Sequence, residues 1–394
     1  MYLTLLRLAS WSLMSTKFRL AIVSEVAGPW SVGGREMVLA GKVPEIAALG
    51  VDVTVYTMKW WATAPEVLHR GDGSVRYEAI CGGKPSPGPR GRSILQTLRF
   101  SLSCISLLWR DFDVVESDPV PIFHLPVLWV VCRIRRKPLV IVWHEFWGID
   151  YWKRFTKVGG RLGAFLEKSF LRFGTRHIAV SRMTHRLLLE AGAPSHRLQL
   201  AENVVPEVGG AVRMGADDLV FVGRLVEHKK PMVAVEVLSQ LPDKSLRLCV
   251  VGKGELKDEL IALVRRLNLD HRVSFLADLT DDELGMVLRN ARVVLSPSER
   301  EGFGLVAAES LSVGTPVVTV DAVTNAAKEF IVSDKMGRVC RTGYLDEIVH
   351  AVTEILDSSP TREEVIVDFA TLNIPRSYAE VAQKYATVYQ SCRK

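Results

Sequence analysis

Residues Ser296 to Ala322 read SPSEREGFGLVAAESLSVGTPVVTVDA, and the rest of the chain is best understood outward from them. Arg292 to Ser296 (RVVLS) is a short β-branched run and predicts a buried strand. Glu301-Gly302-Phe303-Gly304 is a glycine turn. Leu305 to Val313 predicts a short helix, with apolar Leu305, Val306, Ala308 and Leu311 and a stop at Gly314 and Pro316. Thr315 to Val320 (TPVVTV) predicts the next strand. Strand, glycine turn and helix together make an anion site. The first amides of a helix have no internal partner, and the helix dipole adds positive potential there.

Two carboxylates flank this turn: Glu301 before the helix and Glu309 inside it. In dinucleotide-type sites an acidic side chain holds a ribose through two hydroxyls. Glu309 suits that role, and Glu301 would face the group beyond the phosphates. The plain alternative is that Glu301 caps the helix and Glu309 is solvated. On this stretch alone the two readings stand level, because short glycine motifs recur by chance.

The run EGFGLVAAES-LSVGTPVV resembles the E-x7-E signature of the retaining glycosyltransferases of family GT4. Ser310-Leu311-Ser312 is its one departure from the commoner pattern. The resemblance implies an α/β fold of GT-B type: two Rossmann-like, doubly wound parallel-sheet domains facing a deep cleft. It runs through nearly the whole chain from Arg19 and is strongest from Val220 to Val320. Boundaries expected on this basis are a leader at 1–18, an acceptor-side domain at 19–206, a nucleotide-sugar domain at 207–374, and a helix at 375–394 returning to the first domain.

Composition agrees with two cores: 394 residues, 48% hydrophobic and 24% charged. A net charge of +6 suits an anionic partner, either nucleotide phosphates or an anionic membrane face. Nucleic acid is discounted, since none of its usual motifs is present. The six cysteines are scattered without metal-ligand spacing and read as reduced thiols in a cytosol. No run reaches the roughly 18 apolar residues of a spanning helix. Met1 to Leu13 (MYLTLLRLASWSL) makes a poor signal peptide and reads as a frayed leader.

In chain order, Arg19–Ser24 predicts a first strand. A loop with Gly33-Gly34, a helix from Arg35 to Leu49 and a strand at Val51–Thr57 follow. Such a loop is where a doubly wound sheet binds its ligand. By resemblance Gly33, Gly34 and Glu36 match a loop that reaches the donor diphosphate. A strand at Val75–Ile80 and a mobile loop at Gly82–Arg92 come next. Ser93–Trp109 has helical spacing (Ile94, Leu95, Leu98, Leu102, Ile105, Leu108) and reads as a buried helix. With Arg90, Arg92 and Arg99 beside it, a membrane-surface helix is the alternative. Pro121–Val131 reads as a core helix with a basic end. The strand Pro138–Trp143 ends at His144, which family members place near the transferred sugar. Trp147, Tyr151 and Trp152 follow on a loop, Trp147 and Tyr151 being candidates for stacking on an acceptor. Ser181, at the end of the strand Arg176–Ser181, is read as facing the cleft. Glu207–Asp217 reads as the linker.

In the second half the strand Asp218–Val222 runs into Gly223-Arg224-Leu225, with Lys229 and Lys230 before a helix from Pro231. Arg224 and Lys229 can clamp a diphosphate. The resembled G-R-L-x-x-x-K pattern has glycine where this chain has Lys230. The turn Ala277–Asp282 matches the segment that holds the nucleotide base, through Leu279 and Asp281.

The expectation is therefore a retaining hexosyltransferase using a GDP- or UDP-sugar, with a glycan or lipid-linked acceptor at the inner membrane face. Donor contacts would come from Gly33, Gly34, Arg224, Lys229, Leu279, Asp281, Glu301, Gly302, Phe303, Gly304, Leu305 and Glu309. Glu301, His144, Arg224 and Lys229 would act in catalysis. No metal or cofactor is expected, because cations and helix amides can hold the departing diphosphate. Asp111-Phe112-Asp113 stands in the wrong half for a metal-binding pair. Rival readings are a sugar-nucleotide epimerase and a non-catalytic partner subunit. A nicotinamide dehydrogenase is weaker, since no G-x-G-x-x-G follows the first strand.

Overall fold

The computed structural model describes residues 18–28, 30, 33–63, 65–83, 94–120, 122–155, 159–205 and 218–393. The leader, most of the loop Gly82–Arg92 and the linker Glu207–Asp217 lie outside these residues. The chain forms two compact units. One gathers the residues up to Ala179, Leu188–Ala201 and the segment from Tyr378; the other gathers Val180–Leu187 and Glu202–Ser377.

The first unit is built on eight strands: β1 (Phe18–Val23), β2 (Val51–Lys59), β3 (Leu68–Arg70), β4 (Gly73–Gly82), β5 (Val114–Ser117), β6 (Leu139–Trp143), β7 (Arg176–Ala179) and β8 (Leu198–Leu200). Their order is β3-β4-β2-β1-β5-β6-β7-β8, parallel except for the β3–β4 hairpin. Strands β1, β5 and β6 are buried along almost their whole length, as parallel strands covered on both faces must be. The order reverses between β1 and β5, so their carboxyl ends open a crevice.

The helices of this unit are α1 (Gly34–Ala48), α2 (Ile94–Ser103, continued as a 3-10 turn to Trp109), α3 (His124–Arg135), α4 (Gly148–Phe155) and α5 (Gly160–Phe170); the residues of α6 (Arg182–Glu190) divide between the two units after Leu187. Phe100, Leu125, Leu128 and Phe170 bring α2, α3 and α5 onto one face of the sheet, against Val115, Ile141 and Trp143. Tyr151 and Trp152 lie on helix α4 rather than on a loop. There Trp147, Tyr151 and Trp152 pack ring on ring, with centroids 4.8 and 4.9 Å from Trp147.

Helix α2 also departs from the sequence reading. Its inward side is Thr97, Phe100, Ser101 and Cys104, while Leu95, Leu98 and Leu102 face outward. Ser101 fits inward because its hydroxyl donates to the Thr97 carbonyl (2.7 Å). Counting apolar spacing alone picked the wrong stripe.

The second unit has β9 (Leu219–Val222), β10 (Leu248–Val251), β11 (Val273–Leu276), β12 (Val293–Ser296), β13 (Arg300–Glu301), β14 (Val317–Val320), β15 (Thr324–Asn325) and β16 (Gly337–Cys340). The main sheet is wholly parallel, in the order β11-β10-β9-β12-β14-β16, and β13 pairs with β15 beside it. This is the doubly wound 3-2-1-4-5-6 order, with its switch point between β9 and β12. Helices α7 (Pro231–Gln240), α8 (Lys257–Arg266), α9 (Asp281–Asn290), α10 (Leu305–Ser312), α11 (Leu345–Ser358) and α12 (Arg362–Ala370) cover it. The sequence reading missed α12, whose Thr361–Glu364 capping box is a legible start signal.

Helix α13 (Tyr378–Ser391) belongs to the first unit and packs along α1. There Lys42 and Glu116 form a buried ion pair (2.7 Å), Tyr389 donates to the same Glu116, and the Lys42 ammonium stands 3.9 Å from the Tyr385 ring centre. Asp111 and Asp113 are engaged in ion pairs with Arg19, and Asp113 also with Lys137. These pairs hold the Asp113 carboxyl down at about 2.

Candidate active site

The switch point of the second unit gathers the cations. Strand β9 hands over to Gly223 and to Arg224, which is exposed. A 3-10 turn, Glu227–Lys229, then lifts His228 and Lys229 beside it. Lys230 closes the turn in the left-handed region (φ 53°), so the backbone keeps the conformation a glycine would take. Its ammonium is tied to Glu227 (2.6 Å) and Glu299 (3.5 Å), which helps offset the strain. Burial and the surrounding cations Arg300, Lys229, Arg224 and Lys230 push the His228 imidazole down to about 3, so it is neutral at pH 7.

From β12 the chain passes through β13 into α10. Gly304 caps that helix at φ +87°, and a Cβ there would lie 2.8 Å from the Ala327 methyl and 2.9 Å from its Cα. Only glycine meets both demands. Phe303 is buried against Phe330 (5.3 Å) and anchors the turn. The first amides of α10, from Leu305 on, are the free donors of a helix start. Glu301 is held by Lys229 at 2.5 Å, both side chains less than a fifth exposed. The sequence reading gave these two separate tasks; without a ligand they neutralise each other.

One helical turn into α10, the half-buried Glu309 is pushed up to about 7, by burial first and by the charge of Asp281 second. A carboxylate so placed gains from hydroxyl donors. Asp281 opens α9, whose cap is Thr280 in a capping box with Glu283. Leu279, just before it, packs on the core beneath α10. The turn at Asp281 and Glu309 are thus neighbours.

The switch point of the first unit carries a second polar cluster. Gly33 caps α1 with extended backbone, and the space a Cβ would fill is taken by the Glu36 carboxylate, 2.4 Å from that position. Gly34 is the first residue of the helix. Arg35 holds both Glu36 and Asp118 at 2.8 Å. Asp118, buried at the end of β5, also accepts from the Val120 amide (2.9 Å) and the Ser24 hydroxyl (3.4 Å). His144, at the end of β6, lines the same cavity as Arg35, Glu36 and Asp118. Burial lowers its imidazole to about 4 against the opposing pull of Asp118, so it is neutral at pH 7.

Trp147 stands on a scaffold built by Glu167. That carboxylate accepts the amides of Trp147 and Gly148 (2.9 Å each) and the Trp152 indole (3.1 Å). Burial pushes Glu167 up to about 7. Ser181 is no free strand-end group: it caps α6, accepting the Thr184 amide at 3.1 Å.

Sequence reasoning missed Arg35, Asp118, Glu167 and His228. Asp118 directly follows the strand β5, as His144 directly follows β6. Glu167 was out of reach, because its partners, two backbone amides and the Trp152 indole, lie fifteen to twenty residues away. Among the described residues no group of three or more histidine, cysteine or acidic side chains is placed to hold a metal.

Residues 32–207 match the model for Glycosyltransferase Family 4, and residues 211–367 match that for Glycosyl transferases group 1. A D-inositol 3-phosphate glycosyltransferase of Pseudarthrobacter chlorophenolicus is 40% identical over 325 residues, which is 75% of each chain. Other curated relatives match over shorter stretches, and the chain spans 23 to 46% of their length. Among solved structures, Thermosynechococcus elongatus sucrose-phosphate synthase superposes with a TM-score of 0.77 at 17% identity, over 95% of this chain and 98% of that one. Anabaena HepE in complex with UDP and glucose gives 0.71 at 19%, over 95% and 100%. The two parallel-sheet, Rossmann-like units are therefore those of the GT-B fold, and the chain belongs to the group 1, family 4 glycosyltransferases.

Proposed function

We propose that this chain is a retaining glycosyltransferase that moves a hexosyl group from a nucleoside diphosphate sugar to an acceptor hydroxyl, with no metal taking part. What supports the reading is the position of Arg224 just after β9, the pairing of Lys229 with Glu301 just before α10, and the half-buried Glu309 one turn into that helix. A departing diphosphate needs positive charge fixed in advance, and these cations and amides supply it. Arg224 takes the diphosphate through its planar fork, and Lys229 leaves Glu301 to share it. Glu309 takes the ribose hydroxyls, and the turn at Leu279 and Asp281 takes the base. Glu301, freed from Lys229, takes hydroxyls of the hexose. Gly33 and Gly34 contribute backbone groups to the diphosphate.

His144 is assigned to the transferred hexose as a neutral imidazole. Trp147 and Tyr151 are assigned to the acceptor, as a rigid aromatic platform braced by Glu167. A UDP-sugar is the first donor to try, because HepE was crystallised with UDP and glucose. D-inositol 3-phosphate, named for the 40%-identical relative, joins glycans and lipid-linked sugars among the acceptors.

Transfer from labelled nucleotide sugars, followed by NMR of the product anomer, tests the reading. Retained configuration with full activity in chelator supports it. An inverted product, an isomerised donor without acceptor, or loss of activity in chelator that magnesium restores would each overturn a stated part.

A further inference from the structure

A second group of aromatic rings stands at the carboxyl end of the first sheet, apart from Trp147. Strand β1 passes into a loop that carries Trp30, and β2 runs straight on into Trp60 and Trp61. Trp30 sits against two neighbours. Its ring centre is 4.9 Å from that of Trp61, tilted by 48°, and 5.2 Å from that of Tyr77 on β4, edge to face. All three side chains are half-buried.

What their polar atoms do separates these rings from four other tryptophans of the unit. Trp60 donates to the Glu25 carbonyl (2.9 Å), Trp143 to His177 (3.1 Å), Trp147 to Glu145 (3.0 Å) and Trp152 to Glu167 (3.1 Å). Trp60 thereby ties the β1 loop to the end of β2, so this corner is tethered without help from its neighbours. Among the described residues, nothing accepts from the indole N–H of Trp30 or Trp61, or from the Tyr77 hydroxyl. Rings with donors left over suit a ligand that is apolar on its faces and hydroxylated around its rim. A sugar ring has that chemistry. The three side chains bring no charge, which favours a neutral sugar over a phosphorylated one.

The position suits a chain of such rings. Strands β2, β1, β5 and β6 lie side by side and parallel, so Trp61 and His144 follow the same ends of the sheet. Three strand spacings separate β2 from β6, about 14 Å, which is roughly the length of three linked pyranose rings.

We propose that Trp30, Trp61 and Tyr77 form a distal acceptor subsite that takes one neutral sugar ring of a glycan chain, its C–H face on the indoles and its hydroxyls on their N–H groups. The acceptor is then an oligosaccharide of about three units or more, whose far end lies on these rings while its reacting hydroxyl lies at His144. This rests on the glycosyltransferase reading given above, with His144 beside the transferred sugar, and deepens it by naming the class of acceptor.

The test is tryptophan fluorescence titration and saturation-transfer NMR of the full chain with gluco-, galacto- and manno-oligosaccharides, from single sugars to hexasaccharides. In at least one series affinity is expected to rise at least about tenfold from monosaccharide to tetrasaccharide and then to level off. Trp30→Ala/Trp61→Ala is expected to abolish that rise. Trp30→Phe/Trp61→Phe keeps rings in place and removes both N–H groups; it should lower tetrasaccharide affinity about threefold or more with the thermal midpoint unchanged. UDP-sugar affinity should be the same in all three proteins. Length-dependent sugar binding without any nucleotide-sugar binding would fault the donor site and leave this subsite standing. Three results would overturn the proposal: affinity that rises with chain length in no series, a rise that both pairs of substitutions leave undiminished, or a dimer that Trp30→Ala/Trp61→Ala dissociates without any sugar binding.

Discussion

Replacing Glu309 by glutamine should stabilise the empty protein while removing its donor affinity, and only above a definite pH. Burial and Asp281 move this carboxyl from its ordinary 4.5 to about 7 in the folded chain. A raised acid destabilises the fold wherever the unfolded chain would ionise it. The cost is absent below the ordinary value, grows through the interval, and is complete above the folded one. Worked from those two values, it is about 3 kcal/mol at about pH 8 and under about 1 kcal/mol at about pH 5. Glutamine carries no such cost, although its amide must still be solvated, so a gain of about 2 kcal/mol at the higher pH is the realistic expectation. For a unit of this size that moves the unfolding midpoint by about 4–8 °C. The assay is thermal or urea unfolding of both proteins at the two pH values, with and without saturating UDP-sugar. Wild type should gain stability from the ligand at the higher pH, and Glu309→Gln should not. Equal midpoints for the two proteins at both pH values would refute the assignment of a desolvated carboxylate poised for hydroxyl donors.

Other outcomes follow from the same geometry. Donor affinity of wild type should fall as pH drops below about 7, because protonated Glu309 accepts fewer hydroxyl protons; a UDP-sugar titration across that range checks it. Glu301→Gln should leave diphosphate affinity intact or tighter, by releasing Lys229, while turnover falls; kcat and Kd measured separately show the split. Arg224→Ala should lose at least about 10²-fold in turnover, and a near-normal rate would sink the clamp. Lys42→Met should cost about 3–5 kcal/mol in urea unfolding by stranding Glu116, and Lys42→Met/Glu116→Leu/Tyr389→Phe should recover much of it.

Much of this site could be read before any coordinates were known, because one short stretch carries several constraints at once. Gly304 is demanded by φ and by Ala327, Phe303 by the core, and the helix start by backbone geometry. Lys230 stands where the resembled pattern has glycine, yet its left-handed backbone keeps the turn. What escaped the reading lacks local pattern. The Lys229–Glu301 pair joins residues seventy-two apart, and Glu167 reaches back across twenty to brace the aromatic cluster. Helix α2 was misread for a different reason: both of its faces are apolar enough, and only packing decides which one turns inward.

The central claim is that the second unit holds a nucleoside diphosphate sugar through cations, helix amides and Glu309. Isothermal titration of the full chain with UDP-, GDP- and ADP-sugars, in chelator and in magnesium, tests it most directly. The account predicts that one nucleotide series binds with the same affinity in both buffers, and that binding is lost in Glu309→Gln and weakened in Arg224→Ala. Failure of every nucleotide sugar to bind, or binding that those two variants leave untouched, would contradict it.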